Sequence, residues 1–213
     1  AQWWSAPDAP GLTYVKRSLV PFGEWIPFRD LLLPLFPQLR YVGAQSVPGQ
    51  QAGVLPATLR DGRTAVFGVL ICFDVAFDEV VYDLPASGAQ IIVVQSSNAM
   101  YQGSSQVEQQ FAITRARAAE LRREVLVVTT SGISGVIDPS GTPQSRVSSG
   151  MASGTTVLPI RDGITPAAVI GVPLQQLVST ISAAWLIILI WKPKRREWRP
   201  PGRTLPQRLV TPT

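Results

Sequence analysis

Thr64-Ala-Val-Phe-Gly-Val-Leu-Ile-Cys72-Phe73-Asp74 is the stretch on which the reading of this chain turns. Thr64–Cys72 is an apolar, β-branched run, and the pattern predicts a buried strand. The run ends on Cys72, the one cysteine among 213 residues. A nucleophile at the C-terminal end of a strand, before a turn into a helix, sits where backbone N–H groups point at developing negative charge. The same position favours a thiolate. The plainer alternative is a small buried hydrophobe that closes a strand.

Outward from this run the pattern repeats. Asp78–Leu84 reads as a short helix that breaks at Pro85, and Ala89–Gln95 as a second buried strand. Ser105-Gln-Val-Glu108 has the form of a capping box. Val107, Phe111, Thr114, Ala118 and Leu121 then recur at helical spacing through Arg123. Val125–Thr130 is a third strand. Ser131–Gly135 turns into Val136-Ile-Asp138, Pro139-Ser-Gly141 makes a tight turn, and Thr155–Ile160 is expected as a further strand. Residues 1–64 are rich in Pro and Gly; strands and long loops are expected there, with a short helix near Phe28–Leu35. Strands alternating with helices predict an α/β fold with a layered sheet.

Residues 167–191 carry no charge over 25 positions. About 20 apolar residues span a bilayer as a helix, and the tryptophans of Leu177–Trp191 suit an interface; a buried core helix is the alternative. The run stops at Lys192-Pro-Lys194-Arg195-Arg196, which by the positive-inside tendency is expected on the cytoplasmic side, with the body of the chain opposite. The expected organisation is a catalytic domain over 1–166, a transmembrane helix over 167–191, and a basic, Pro-containing tail or linker over 192–213.

Charge agrees with this division. The formal charge is +5, but residues 192–213 hold seven basic residues and one acid, leaving twelve basic and thirteen acidic residues in 1–191. A nucleic-acid-binding body spreads basic residues over a folded face; this chain concentrates them beside an apolar run, so no nucleic-acid partner is expected. One cysteine excludes an intrachain disulfide. The absence of histidine removes Cys–His and Ser–His–Asp catalysis from the chain and argues against a transition-metal site. The first residue is Ala1, not Met, and a piece of a longer protein is expected.

Tyr14-Val-Lys16-Arg-Ser-Leu-Val-Pro-Phe-Gly-Glu24-Trp-Ile-Pro27 supplies a lysine and a carboxylate upstream of the thiol. The residues after Lys16 are too apolar for an ordinary exposed loop. An ammonium drawn into a pocket there would stabilise a thiolate and the oxyanion of a tetrahedral intermediate. Glu24 would orient Lys16 or assist proton transfer. A solvated lysine and a loop carboxylate are the plainer readings. Asp74, Asp78 and Glu79 read equally well as caps or surface charges.

These motifs resemble the apolipoprotein N-acyltransferases, a membrane branch of the nitrilase (carbon–nitrogen hydrolase) superfamily. The lysine motif Lys16–Pro27, the nucleophile motif Gly68–Asp74, Ser96-Ser-Asn98-Ala-Met-Tyr101, the helix around Gln109-Gln110 and Ala112–Ala119, and Thr130–Asp138 follow in the family's order over about residues 10–160. The resemblance implies a nitrilase-like α-β-β-α sandwich, incomplete at its N-terminus, followed by one transmembrane helix. It implies a Glu-Lys-Cys triad in which Cys72 and Lys16 match two members and Glu24 matches an additional functional glutamate. Phe73, Asp74 and Asn98 are expected at the substrate site; where Phe73-Asp74 stand, the family commonly has Tyr-Glu. The triad glutamate is expected ahead of Lys16, and residues 1–15 contain no Glu. Glu108 falls near a position where relatives often have His.

The implied activity is transfer of a fatty acyl group from a phospholipid, through a Cys72 thioester, to the N-terminal amine of a diacylglyceryl-cysteine lipoprotein. It needs no cofactor and no metal. The implied location is the bacterial cell membrane, multi-pass in the full-length protein, with the catalytic domain on the extracytoplasmic side and room for a fused or associated cytoplasmic domain after residue 191. A nitrilase-type amidase acting on a small amide and a membrane-tethered pseudoenzyme are the competing expectations.

Overall fold

A computed structural model describes residues 1–6, 9–59, 61–148, 150 and 152–191. The basic tail, the expected linker and the cationic stop after Trp191 lie outside the described residues. The chain divides into two compact units, Ala1–Leu174 and Gln175–Thr213.

The first unit is built on a six-stranded sheet: β3 (Val54–Thr58), β4 (Thr64–Ile71), β5 (Ile91–Ser96), β6 (Val125–Thr129), β7 (Ser134–Ile137) and β8 (Pro143–Val147), hydrogen-bonded in that order. The β4–β5 and β5–β6 pairs are parallel; β3–β4, β6–β7 and β7–β8 are antiparallel. The parallel centre requires crossovers, supplied by α2 (Asp78–Ala86) and α3 (Gln106–Leu121). Leu70, Ile92, Val94, Val125 and Val127 meet Val81, Leu84, Phe111, Ala118 and Leu121 in one core. The opposite face of β4 is covered too. The hairpin of β1 (Gln2–Ala6) and β2 (Ala9–Thr13) brings Trp3 onto Phe67, with ring centroids 5.8 Å apart. Tyr14, Leu55 and Val69 cluster with Trp3 and Ile71 there. A strand covered on both faces reads as a continuous apolar run rather than an alternating one, which is why Thr64–Ile71 has that composition. The α/β class and the layered arrangement agree with expectation. Among the described residues β1 and β2 are the second sheet.

Three local expectations change. Residues 155–160 form no strand, and Val157 is 96% exposed. β-branched residues without a neighbouring edge have no ladder to join. The last strand is instead Pro143–Val147, with proline at its first position, where a missing N–H costs little. The turn before it closes on Asp138, whose Oδ1 accepts the N–H groups of Ser140 and Thr142. Helix α2 runs through Pro85 to Ala86, and its end is a Schellman turn. Ala89 N–H donates to Leu84 O, Gly88 N–H donates to Pro85 O, and Gly88 takes φ +89°. The capping box does not form, because Ser105 makes no side-chain cap bond. Ser104 Oγ accepts Gln106 N–H instead, and Glu108 pairs with Arg146. α1 covers Arg29–Leu35, within the expected short helix.

Helix α4 (Pro166–Trp191) begins in the first unit. Thr165 Oγ caps it by accepting Ala168 N–H and donates to Glu120 O, with proline at the first helical position. Ala168 and Val172 pack on the first unit's core. In the second unit the described residues, Gln175–Trp191, continue the helix. Its large apolar side chains, among them Leu177, Ile181, Trp185 and Ile188, are exposed. At 1.5 Å per residue, the 26 residues are long enough and apolar enough to cross a membrane.

Candidate active site

Strand β4 delivers Cys72 at its C-terminal end. The residue adopts a left-handed conformation, φ +52°, and is half-buried. A non-glycine residue in that region costs about 1–3 kcal/mol and persists where its surroundings over-determine it. Two anchors do so here. The first is Asp74, which has no exposed surface. Its Oδ2 accepts Ile71 N–H (3.0 Å) and the Tyr14 hydroxyl (2.9 Å), and its Oδ1 accepts Ser18 N–H (2.8 Å). The second is Arg117 of α3. Its guanidinium donates to Val75 O (2.9 Å) and Ala76 O (3.3 Å), pairs with Asp78 and Glu120, and lies over the Tyr82 ring. One anchor grips the turn before the thiol and the other the turn after it.

Asp74 also joins the two motifs. Tyr14 and Ser18 flank Lys16, so the lysine loop is tied to the cysteine turn on both sides of its lysine. Arg17 adds an ion pair to Asp83 of α2 at 2.6 Å. Burial, followed by the carboxylate of Asp74, pushes the Tyr14 hydroxyl well above the usual tyrosine range. Lys16 is buried, and its Nζ donates to both oxygens of Glu24, at 2.8 and 2.7 Å. Glu24 Oε2 also accepts Val20 N–H (2.7 Å). The carboxylate is thereby fixed within its own loop and aimed at the ammonium.

Phe73 is half-buried and meets Phe77 edge-to-face at 5.0 Å. Asn98 is 4% exposed. Its Oδ1 accepts the Ser96 hydroxyl (2.8 Å) and its Nδ2 donates to Gln110 Oε1 (2.7 Å). Gln110 Nε2 in turn faces Cys72 Sγ at 3.6 Å. Motif spacing does not single out Tyr14 or Arg117, and it marks Gln110 only as part of the helix around Gln109-Gln110, without its contact to Cys72. A hint exists for Arg117: it is a cation inside the helical stripe of Phe111, Thr114, Ala118 and Leu121, and a buried arginine demands partners.

The carbon-nitrogen hydrolase profile matches residues 6–161. This chain belongs to the carbon-nitrogen hydrolase family. It is 32% identical over 188 residues to an apolipoprotein N-acyltransferase of Mycolicibacterium smegmatis, covering 88% of this chain and 30% of that protein. It is 35% identical over 130 residues to apolipoprotein N-acyltransferase 2 of Treponema denticola, covering 60% and 25%. With the Pseudomonas paraeruginosa apolipoprotein N-acyltransferase the identity is 29% over 198 residues, covering 91% and 36%. The chain thus spans about a third or less of the length of these relatives. Among solved structures it overlaps a variant of the amidase from Nesterenkonia sp. AN1 at TM-score 0.45 and 23% identity, covering 66% of this chain and 48% of that one. The matched residues span the whole six-stranded sheet and Cys72.

Proposed function

We propose that this chain is the acyl-transferring part of an apolipoprotein N-acyltransferase. One observation carries the reading: in a carbon-nitrogen hydrolase chain, a single buried carboxylate, Asp74, ties the lysine loop to the cysteine turn. The chain's similarity to acyltransferases and its apolar helix α4 support a lipid substrate rather than a small soluble amide.

In this reading Cys72 Sγ attacks the ester carbonyl of a membrane phospholipid. An S–C bond forms, the ester C–O bond breaks, and the lysophospholipid alkoxide leaves with a proton. The N-terminal amine of a diacylglyceryl-cysteine lipoprotein then attacks the thioester. The amide N–C bond forms, the amine gives up a proton, and the C–S bond breaks to restore the thiolate. Two acyl transfers of moderate difficulty replace one hard one. The Lys16 ammonium offsets negative charge on the sulfur and on the carbonyl oxygen, and Glu24 holds it there. The glutamate that the family resemblance places ahead of Lys16 carries the protons. Asp74 acts from beneath by positioning. Phe73, with surface to offer, contacts the acyl chain. With residues 1–166 as the catalytic part and 167–191 as the anchor, enzyme and both lipids share one interface, the catalytic part lying outside the bacterial cell membrane.

Intact mass of the full-length protein purified from membranes, wild type beside Cys72→Ala, tests this. A fatty-acyl increment that neutral hydroxylamine removes and that the variant lacks is expected. A wild-type protein without an adduct, even after incubation with phospholipid, while hydrolysing small amides, overturns the reading in favour of an amidase.

A further inference from the structure

Gln110 projects from the second turn of α3 with its carboxamide against the thiol. A carboxamide has one acceptor and one donor end, and which end faces sulfur is set by its other neighbours. Here the polar atoms form a cluster, in which the Ser96 hydroxyl also stands 3.2 Å from Gln110 Oε1. The Ser96 hydroxyl donates to Asn98 Oδ1 (2.8 Å), Asn98 Nδ2 donates to Gln110 Oε1 (2.7 Å), and Gln110 Nε2 donates to Cys72 Sγ (3.6 Å). Turning the Gln110 amide alone would set its NH₂ against that of Asn98. Turning both amides would set two NH₂ groups against the Ser96 hydroxyl and leave its hydrogen no acceptor among these groups, and the backbone of Asn98 is held by its N–H, which donates to Ser131 O (2.9 Å). Gly132 closes over it so tightly that a Cβ there would stand 2.7 Å from Nδ2. A thiolate has no hydrogen to give and can only accept, so it is the sulfur species this direction of donation serves. Successive hydrogen bonds running the same way strengthen one another in a poorly solvated site.

We propose that Gln110 is a further catalytic residue, a neutral donor that stabilises the Cys72 thiolate, and that Asn98 and Ser96 are positioning residues that fix its direction. The proposal rests on the reading of Cys72 as the nucleophile. It gives Asn98 a role through Gln110 rather than through substrate. It also divides the work at the site: Lys16 supplies charge, and Gln110 supplies direction to the sulfur.

The test is the pH profile of Cys72 alkylation by iodoacetamide in the full-length membrane-purified protein, read by mass mapping of the Cys72 peptide. Gln110→Leu is expected to move the midpoint up by about one pH unit, with about a tenfold slower reaction below it, as for loss of a hydrogen bond to a charged group. Gln110→Glu should move it further, because a carboxylate replaces a donor. Asn98→Ala and Gly132→Ala leave Gln110 in place and should give part of the shift. They keep the test open if Gln110→Leu fails the circular-dichroism check for folding. Superposable profiles in the folded variants, with wild-type Cys72 still taking an acyl group, overturn the proposal and leave Gln110 as packing. If wild-type Cys72 takes no acyl group and alkylates no faster than in denatured protein, the nucleophile reading falls and takes the proposal with it.

Discussion

Asp74 is the residue whose loss tells most about how the site is held. Its carboxylate receives three donors in a spot without solvent: the Tyr14 hydroxyl, Ser18 N–H and Ile71 N–H. Hydrogen bonds to a charged acceptor contribute about 1.5–3 kcal/mol each. In Asp74→Ala the hydroxyl can turn to another partner, but two backbone N–H groups lose theirs, and the missing side chain leaves a void. The expected loss is about 3–6 kcal/mol, a large part of the roughly 5–15 kcal/mol that holds a domain folded. Asp74→Asn separates the contributions. With its oxygen placed at the Oδ2 position it keeps Tyr14 and Ile71, but its NH₂ then opposes Ser18 N–H. That amounts to one lost bond and one opposed pair, about 2–3 kcal/mol. Urea unfolding of the chain in detergent micelles measures both. Limited trypsin digestion mapped at Lys16 and Arg17 gives a second readout, since a released lysine loop becomes a substrate. Were Asp74→Ala to unfold within about 1 kcal/mol of wild type, or its Lys16–Arg17 bond to stay as protected, the idea that Asp74 fastens the two motifs together would be wrong.

Other perturbations have definite directions. Tyr14 holds its proton more tightly folded than unfolded, so its contribution to stability is whole below about pH 10, the unfolded value, and is lost as pH rises beyond it. Tyr14→Phe should flatten the alkaline limb of a stability-versus-pH curve, and an unchanged limb would refute this. Arg117→Met removes donors from Val75 O and Ala76 O and strands the Asp78 and Glu120 carboxylates. About 2–4 kcal/mol should disappear in urea unfolding, with Arg117→Lys recovering only part, because one ammonium cannot reach four acceptors in a fork. Gly68→Ala places a methyl 2.8 Å from Ile92 Cδ1 and 2.9 Å from Ala89 Cβ. Overpacking of this kind costs about 1–3 kcal/mol, visible as a lowered melting temperature.

Contacts local in sequence were legible, and contacts across the fold were not. The buried strands β4, β5 and β6 announced themselves because both of their faces, or the face toward the helices, need apolar residues. The α3 stripe did so through its 3.6-residue period, and α4 through its length without charge. Lys16 and Glu24 stand eight residues apart, and their pairing followed from placing both in one apolar loop. Asp74 read as a cap or surface charge and, through the family resemblance, as a substrate-site residue; it is fully buried and accepts Ile71 N–H. Its bonds to Tyr14 and Ser18 cross 60 and 56 residues, a distance no spacing rule spans. Gln110 meets Cys72 across 38 residues. The failed strand at 155–160 shows the same limit from the other side. β-branched composition expresses a preference for a pleated surface, whereas a strand needs an edge to pair with, and Pro143–Val147 reached β7 first through a short turn.

The six-stranded sheet pairs its strands in the order in which the chain presents them, β3 through β8. No strand waits for a later one to be inserted between itself and its neighbour. As the chain lengthens from its N-terminal end, each strand finds a ready edge in the strand just before it, and its own far edge is covered by the next arrival. Such an order keeps loop closures short, and short closures favour fast assembly. Besides the outer edge of β3, only the newest strand then offers an open edge during synthesis, so few edges are exposed to mispairing at once. The β4 strand that carries Cys72 would be enclosed by β3 and β5 before α3 is complete, and the sulfur would acquire its Gln110 neighbour only afterwards.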